Sequence, residues 1–212
     1  MIITIDGPAG AGKSTVGREL SRRLGFRFFE SGSVYRALAL AVREKKIDPA
    51  NREAICGLIP GLDFFCSRPE FYLPETGELA SRLSAIPEVR KDLLAIQRSL
   101  ADTGNLIAEG RDMGSVVFPG AEHKFFLDAS LPTRTRRRQE ELAGKGKSLK
   151  PEEVEAEISA RDARDRSRKA SPLIVPEGAI VIDTTGLGIA EVVETMLRHI
   201  KKGSDGRGQR EG

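Results

Sequence analysis

The chain has no tryptophan, only 5% aromatic residues, two histidines and two cysteines in 212 residues. Each scarcity narrows the field. Cys56 and Cys66 form neither a C-x-x-C pair nor a metal-ligand spacing, which excludes a disulfide scaffold and a cysteine-built metal site. Reduced thiols in a cytoplasmic protein are expected instead. No apolar run approaches the length of a membrane span, and "MIITIDGPAG" has neither a basic n-region nor an apolar h-region, so no membrane role is expected. A one-sided charge is missing too. With 34 Lys+Arg against 31 Asp+Glu the net charge is +3, too balanced for bulk nucleic-acid binding. There is no internal repeat.

What is present is alternation. Five short apolar runs (2–6, 27–30, 106–109, 124–128 and 179–183) read as buried parallel strands. Helical patterns at 13–24, 33–45, 87–100, 132–142 and 189–201 separate them. This predicts an α/β fold, a five-stranded parallel sheet with helices on both faces. Two segments interrupt the pattern. Residues 61–85 carry Pro and Gly turns around a strand-like "EFYL", and 144–172 are highly charged and open with "GKGKS". Both are expected as insertions at the strand carboxyl edge, where open α/β sheets bind ligands. The predicted organisation is one domain over 1–202, with a core of 1–60, 86–143 and 173–202 and a frayed tail at 203–212.

"GPAGAGKS" at 7–14 matches G-x-x-x-x-G-K-[ST], and the strand "IITID" before it and the helix "STVGRELSRRLG" after it supply the context that motif requires. Gly7, Gly10 and Gly12 let the backbone turn its N–H groups toward a polyphosphate above a helix N-terminus. Pro8, Ala9, Ala11 and Thr15 complete the expected ATP contacts. Lys13 reaches the β- and γ-phosphates, and the Ser14 hydroxyl can ligate Mg²⁺. The bland reading is a Gly-rich turn before an ordinary helix, which this context disfavours. N-K-x-D, the guanine signature of a GTPase, is absent. Transfer to a small acceptor is the better expectation, and a transferase needs a second anion site.

"ESGSVYR" at 30–36 places Ser31 and Arg36 after the second strand, and "EGRDMGSVVFP" at 109–119 places Arg111 and Asp112 after the third. Arg111 and Asp112 could merely pair with each other, and Tyr35 reads as a packing aromatic. "RDARDRSRK" at 161–169 puts Arg161, Asp165 and Arg168 on one helical face, with Asp162 and Arg166 as a separate i, i+4 pair. Alone, that stretch reads as a solvated, salt-laced helix.

Taken in order, "ITIDGPAGAGKST", "SGSVYRALAL", "IPEVRKDLLAIQRSL", "GRDMGSVVFP", "FFLDAS" and "RDARDRSRKASPL" resemble the bacterial cytidylate kinases of the P-loop nucleoside monophosphate kinase group. The resemblance implies a P-loop NTPase three-layer fold in which 61–85 is a monophosphate-binding insert and 144–172 a helical lid. It implies ATP-dependent phosphorylation of CMP and dCMP, with Mg²⁺, by a cytoplasmic monomer. Carried over by position, the pyrimidine would meet Ser81, Arg90, Asp112 and Arg168. The ribose would meet Arg161 and Asp165, and the acceptor phosphate Ser31, Arg36 and Arg111. Among the catalytic cations would be Lys13, Arg111, and Arg134 and Arg137 of "RTRRR". Under this reading Arg161, Asp165 and Arg168 face substrate and Asp162–Arg166 faces solvent.

The sequence departs from the family in three places. The stretch from Arg36 to Ser81 is shorter by about a dozen residues, trimming the insert. Glu30 stands where Asp is common, and Gly-Lys-Ser replaces Gly-Lys-Gly. His123 and His199 lie apart from every motif and are not expected to act; an anionic phosphate acceptor needs no strong base. Two rival readings remain: a P-loop kinase for UMP, dephospho-coenzyme A or shikimate, which would lack the Arg–Asp pocket, and a non-catalytic nucleotide- or RNA-binding module, which would bind RNA with a steep salt dependence.

Overall fold

A computed structural model describes residues 1–63, 68–144, 146 and 149–205 of the chain. The apolar runs form β1 (Ile2–Asp6), β2 (Arg27–Glu30), β3 (Leu106–Gly110), β4 (His123–Asp128) and β5 (Ile180–Asp183). All pair in parallel, in the order β2-β3-β1-β4-β5. β3 is buried along its whole length, as the unbroken "LIAEG" run requires of a strand covered on both faces. Central β1 runs in register with β3 on one side (Ile5 opposite Glu109) and β4 on the other (Ile5 opposite Phe125).

Helices α1 (Lys13–Leu24) and α8 (Ile189–Asp205) cover one face of the sheet around Ile3, Ile5, Leu20, Phe125, Val193 and Met196. At Gly17 a Cβ would stand 2.5 Å from the Phe28 ring, so glycine sets how closely α1 approaches. On the other face α2 (Ser31–Glu44), α3 (Arg52–Cys56), α4 (Pro74–Leu83) and α5 (Pro87–Ser99) enclose Phe29, Val34, Leu38, Ile55, Leu83 and Leu93. α6 (Leu131–Ala143) and α7 (Pro151–Ser167) pack on each other at the carboxyl edge, through Leu142, Val154 and Ile158.

Two expectations change. "EFYL" is no strand: Pro69–Tyr72 is a 3₁₀ turn, and α4 follows it directly. Each element starts on a proline, which fits a helix's first turn because its fixed φ suits and its missing N–H has no partner there anyway. The final helix runs to Asp205, so 203–205 are helical. Residues 206–212, most of the "GKGKS" opening and Cys66 lie outside the described residues. Among the described residues no helix is long and apolar enough to cross a membrane.

Candidate active site

Parallel strands send their carboxyl ends to one edge, and there a cavity of about 740 Å³ opens between the loop after β1, the ends of β2 and β3, and helices α4, α6 and α7. Ala9, Gly10, Ala11, Gly12, Lys13, Ser14 and Thr15 line it. Gly10 and Gly12 sit at φ +76° and +87°, which only glycine takes without strain, and Gly12 caps α1. Gly7 and Pro8, also expected as nucleotide contacts, are not among the residues that line the cavity. A Cβ on Gly7 would stand 2.0 Å from the Leu127 carbonyl oxygen, so this glycine serves the close pass over β4. The Pro8 carbonyl accepts a 2.8 Å hydrogen bond from Lys13 Nζ.

Lys13 is buried; desolvation, and then Arg111, push its ammonium down to about 7, while Glu109 opposes the shift. The Ser14 hydroxyl donates to Glu109 Oε1 at 3.3 Å. Glu109, next to last in β3, is itself buried, which raises its carboxyl pKa against the pull of Lys13. The sequence reading passed over Glu109. A carboxylate near the carboxyl end of an otherwise apolar buried strand was the available signal.

Asp6, the last residue of β1, accepts from the backbone N–H groups of Met113 and Gly114 at 2.8 and 2.7 Å. These follow directly on Arg111 and Asp112, in a π-helical turn Met113–Val117, so one carboxylate fixes the loop that carries both. Burial pushes the Asp6 carboxyl from 3.8 up to about 7 despite those two donors. A carboxyl whose pKa rises on folding stabilises below its unfolded pKa and loses that contribution as pH climbs to its folded one. Wild-type unfolding free energy should therefore decline from pH 4 to 7 relative to Asp6→Asn, which cannot titrate. Denaturant unfolding at several pH values tests this, and parallel curves would refute it.

Across the cavity the residues expected on the acceptor side come together. Arg90 and Asp112 form a buried ion pair. Arg168 Nη2 lies 3.8 Å from Asp112 Oδ1 and its Nη1 3.7 Å from Asp165 Oδ1, and Arg111 Nε donates to Asp165 Oδ2 at 2.8 Å. The result is an alternating strip: Arg90, Asp112, Arg168, Asp165, Arg111. Arg90 is held by the Ser84 carbonyl at 2.9 Å and by the Tyr35 ring, 5.7 Å from its guanidinium carbon. Arg36 donates to Glu30 Oε1 at 2.8 Å, and Arg18 takes Glu30 Oε2 at the same distance, so Glu30 orients cations at the rim. Ser31, Ser81 and Arg161 also line the cavity. Burial, and then Arg111, push the Arg161 guanidinium down to about 10. Arg90 Nε, Arg161 Nε and Arg168 Nη2 are buried donors with no hydrogen-bond partner.

Two expected roles fail on geometry. Arg134 is not at the cavity: it is buried behind the loop, donating to the Ala129 and Ala9 carbonyls at 3.0 Å each and pairing with Asp162. Asp162 accordingly does not face solvent with Arg166; it is 3% exposed, whereas Arg166 is exposed. The buried positions of α7 are Val154, Ile158, Asp162 and Asp165, one stripe whose apolar half turns acidic. Extending the spacing from Val154 and Ile158 would have found Asp162. Arg137 does line the cavity, braced on Thr184 by 2.9 Å and 2.6 Å bonds to its hydroxyl and carbonyl. Thr184, Leu187, Gly188 and Ile189 form the wall beside the phosphate loop. Sequence reasoning missed this wall, although "DTTG" follows β5 at the same carboxyl edge as the other site loops.

The chain is 45% identical to a cytidylate kinase of Caldanaerobacter subterraneus subsp. tengcongensis, over 96% of each sequence. It is 43% identical to one of Vibrio cholerae, over 94% of this chain and 96% of that one. A gluconokinase structure from Sinorhizobium meliloti superposes over 99% of the chain with a TM-score of 0.52 at 16% identity, a likeness of fold. The family model described as cytidylate kinase matches residues 3–202, and with it the phosphate loop, the Arg111–Asp112 turn and the Arg161–Arg168 strip together; the chain belongs to the cytidylate kinase family.

Proposed function

We propose that this chain transfers the γ-phosphoryl group of ATP to CMP and dCMP, giving ADP with CDP or dCDP. A phosphate oxygen of the acceptor forms a bond to the γ-phosphorus as the bond to the β-bridging oxygen breaks, and the departing pair stays on ADP. The strip Arg90–Asp112–Arg168–Asp165–Arg111 carries this reading, because all five side chains, interlocked by charge, line the cavity that the phosphate loop also lines.

Cytosine presents an N4 donor beside N3 and O2 acceptors. Asp112 Oδ2 is taken by Arg90, while Oδ1 lies too far from Arg168 for a hydrogen bond and can accept from N4. Arg90 and Arg168 supply donors for N3 and O2, with Ser81 at the edge. Uracil would turn a carbonyl oxygen toward the Asp112 carboxylate and leave it unpaired. Asp165 and Arg161 suit the ribose, and Arg111, Arg36 and Ser31 the acceptor phosphate. We assign 61–85, with α4, as the acceptor-side insert and 144–172, with α7, as the lid that excludes water.

Phosphoryl transfer requires in-line positioning and cations for the charge on the transferred oxygens. Lys13, Arg111 and Arg137, which line the same cavity, suit that need. Ser14 and Glu109 bring two hard oxygens together at the foot of the loop, the donor type Mg²⁺ takes. They would hold the ion directly or through water, and when bound it neutralises the β- and γ-phosphate oxygens. Glu109→Gln is expected to raise the Mg²⁺ concentration at half-maximal rate about tenfold or more. Unchanged Mg²⁺ dependence would remove Glu109 from the metal site. The proposal as a whole is tested by the ratio of kcat/KM for CMP to that for UMP with Mg²⁺–ATP. A ratio of about 100 or more is expected from leaving a buried polar group unpaired; a ratio near one would refute the pocket assignment.

A further inference from the structure

Asp162 and Arg134 stand outside the acceptor strip, yet both are buried and engage the phosphate loop. Asp162 Oδ1 accepts the Ala9 backbone N–H at 3.1 Å, and Arg134 Nη1 donates to the Ala9 carbonyl at 3.0 Å. The two side chains pair with each other, and Arg134 Nε holds the Ala129 carbonyl at 3.0 Å. Both polar groups of Ala9, a cavity-lining residue, are thus held by one buried ion pair. The loop passes so closely that a Cβ on Gly10 would stand 3.0 Å from Arg134 Cβ and carbonyl oxygen.

Asp162 also rides on α7, one turn before Asp165, which holds Arg111. Positions three apart on a helix differ by about 60° in azimuth. One rigid helix therefore grips the donor-side loop with one carboxylate and the acceptor-side loop with the next. Val154, Ile158 and Leu142 bury the rest of the same stripe beside Ala9, so α7 is seated on the loop by apolar contact as well.

We propose that Asp162 is a positioning residue that couples the lid helix to the phosphate loop, so that the donor nucleotide and the acceptor monophosphate each strengthen binding of the other. This rests on reading the chain as a CMP kinase. A nucleotide that orders the loop around Ala9 orders Asp162, and with it the register of Asp165, Arg161 and Arg168 over the acceptor. Linkage makes the effect reciprocal. A buried ion pair is a poor source of stability, because desolvation offsets its attraction, but it does specify register.

Isothermal titration of the full chain with CMP, with and without Mg²⁺–AMP-PNP, measures the coupling. The analogue is expected to tighten CMP binding roughly tenfold in the wild type, within the usual 5- to 150-fold range. In Asp162→Asn the amide cannot accept from both Ala9 and Arg134, and the factor should fall below about threefold while CMP alone still binds within about fivefold of wild type. The exposed control Arg166→Ala should keep the full factor. A full factor in Asp162→Asn, or none in a wild type that binds CMP, would overturn the coupling. A wild type that does not bind CMP at all would overturn the acceptor assignment and the coupling with it. Should Asp162→Asn not fold, exchange of the Ala9 amide proton in the wild type decides: CMP alone should slow it several-fold, and an unchanged rate would overturn the proposal.

Discussion

Lys13→Met should lower kcat by about 10²–10³, the usual loss when one preorganised donor to developing transition-state charge is removed. Lys13 is the cation closest to the phosphate loop's own backbone, held to Pro8 at 2.8 Å and flanked by Glu109 and Arg111. Its depressed pKa, about 7, reflects burial first and Arg111 second. A polyphosphate brought alongside would reverse the imbalance and hold the ammonium charged, so the cation is made strongest where charge accumulates. Methionine keeps the length and apolar stem without the charge. The fold should survive, because the side chain's one hydrogen bond, to Pro8, is worth about 1.5–3 kcal/mol, a fraction of a domain's stability. Single-turnover rates at saturating substrate, beside an unfolding curve, separate the two effects. A kcat within about fivefold of wild type would contradict the role, by the same donor arithmetic.

Asp112→Asn should strike specificity rather than the chemical step. The carboxylate sits between Arg90 and Arg168 at the bottom of the acceptor cavity, its side chain 6% exposed. An amide in its place can offer N–H to the O4 of uracil and no longer accepts from N4 with the strength of a carboxylate. We expect kcat/KM for CMP to fall about 10³-fold and the CMP preference over UMP to vanish or invert, on the scale of sites built around one buried hydrogen-bonding group. The substitution also leaves buried guanidinium groups uncompensated, so a loss of about 3–5 kcal/mol in stability accompanies it. Rates should therefore be measured well below the unfolding transition. Retained discrimination in a folded Asp112→Asn protein would show that the base is read elsewhere.

How far the sequence disclosed these features depended on whether each was local. "GPAGAGKS" lies between a strand and a helix, and its turn chemistry is written in neighbouring residues; α1 begins at Lys13 as its pattern implies. The strands were legible because parallel strands covered on both faces are unbroken apolar runs. "EFYL" misled for the same reason: three apolar residues in a row after Glu70 have no period, and the prolines at 69 and 74 were the better guide. Asp112 was legible as a strand-end residue and Arg168 as part of a charged helix face, but Arg90, and the meeting of all three, were reachable only through family resemblance.

Arg134 and Asp162 show the limit most clearly. "RTRRR" offers several cations with no apolar phase to say which turns inward, and Arg134 is drawn in by a carboxylate 28 residues away. Asp162 was assigned to solvent because an i, i+4 partner, Arg166, lay close at hand. The buried stripe begun by Val154 and Ile158 outweighed that local pairing. Glu109 likewise looked like the end of a strand until Ser14 was seen 3.3 Å away.

The central claim is that a phosphate loop and a cytosine-reading pocket share one cavity. Competition tests it most directly: wild-type protein, Mg²⁺ and γ-labelled ATP with CMP, dCMP, UMP, AMP, GMP, shikimate and dephospho-coenzyme A together at equal concentration. Label should pass to CDP and dCDP, with little in any other product or in free phosphate. Label that appears chiefly in another acceptor, or in free phosphate alone, would contradict the account.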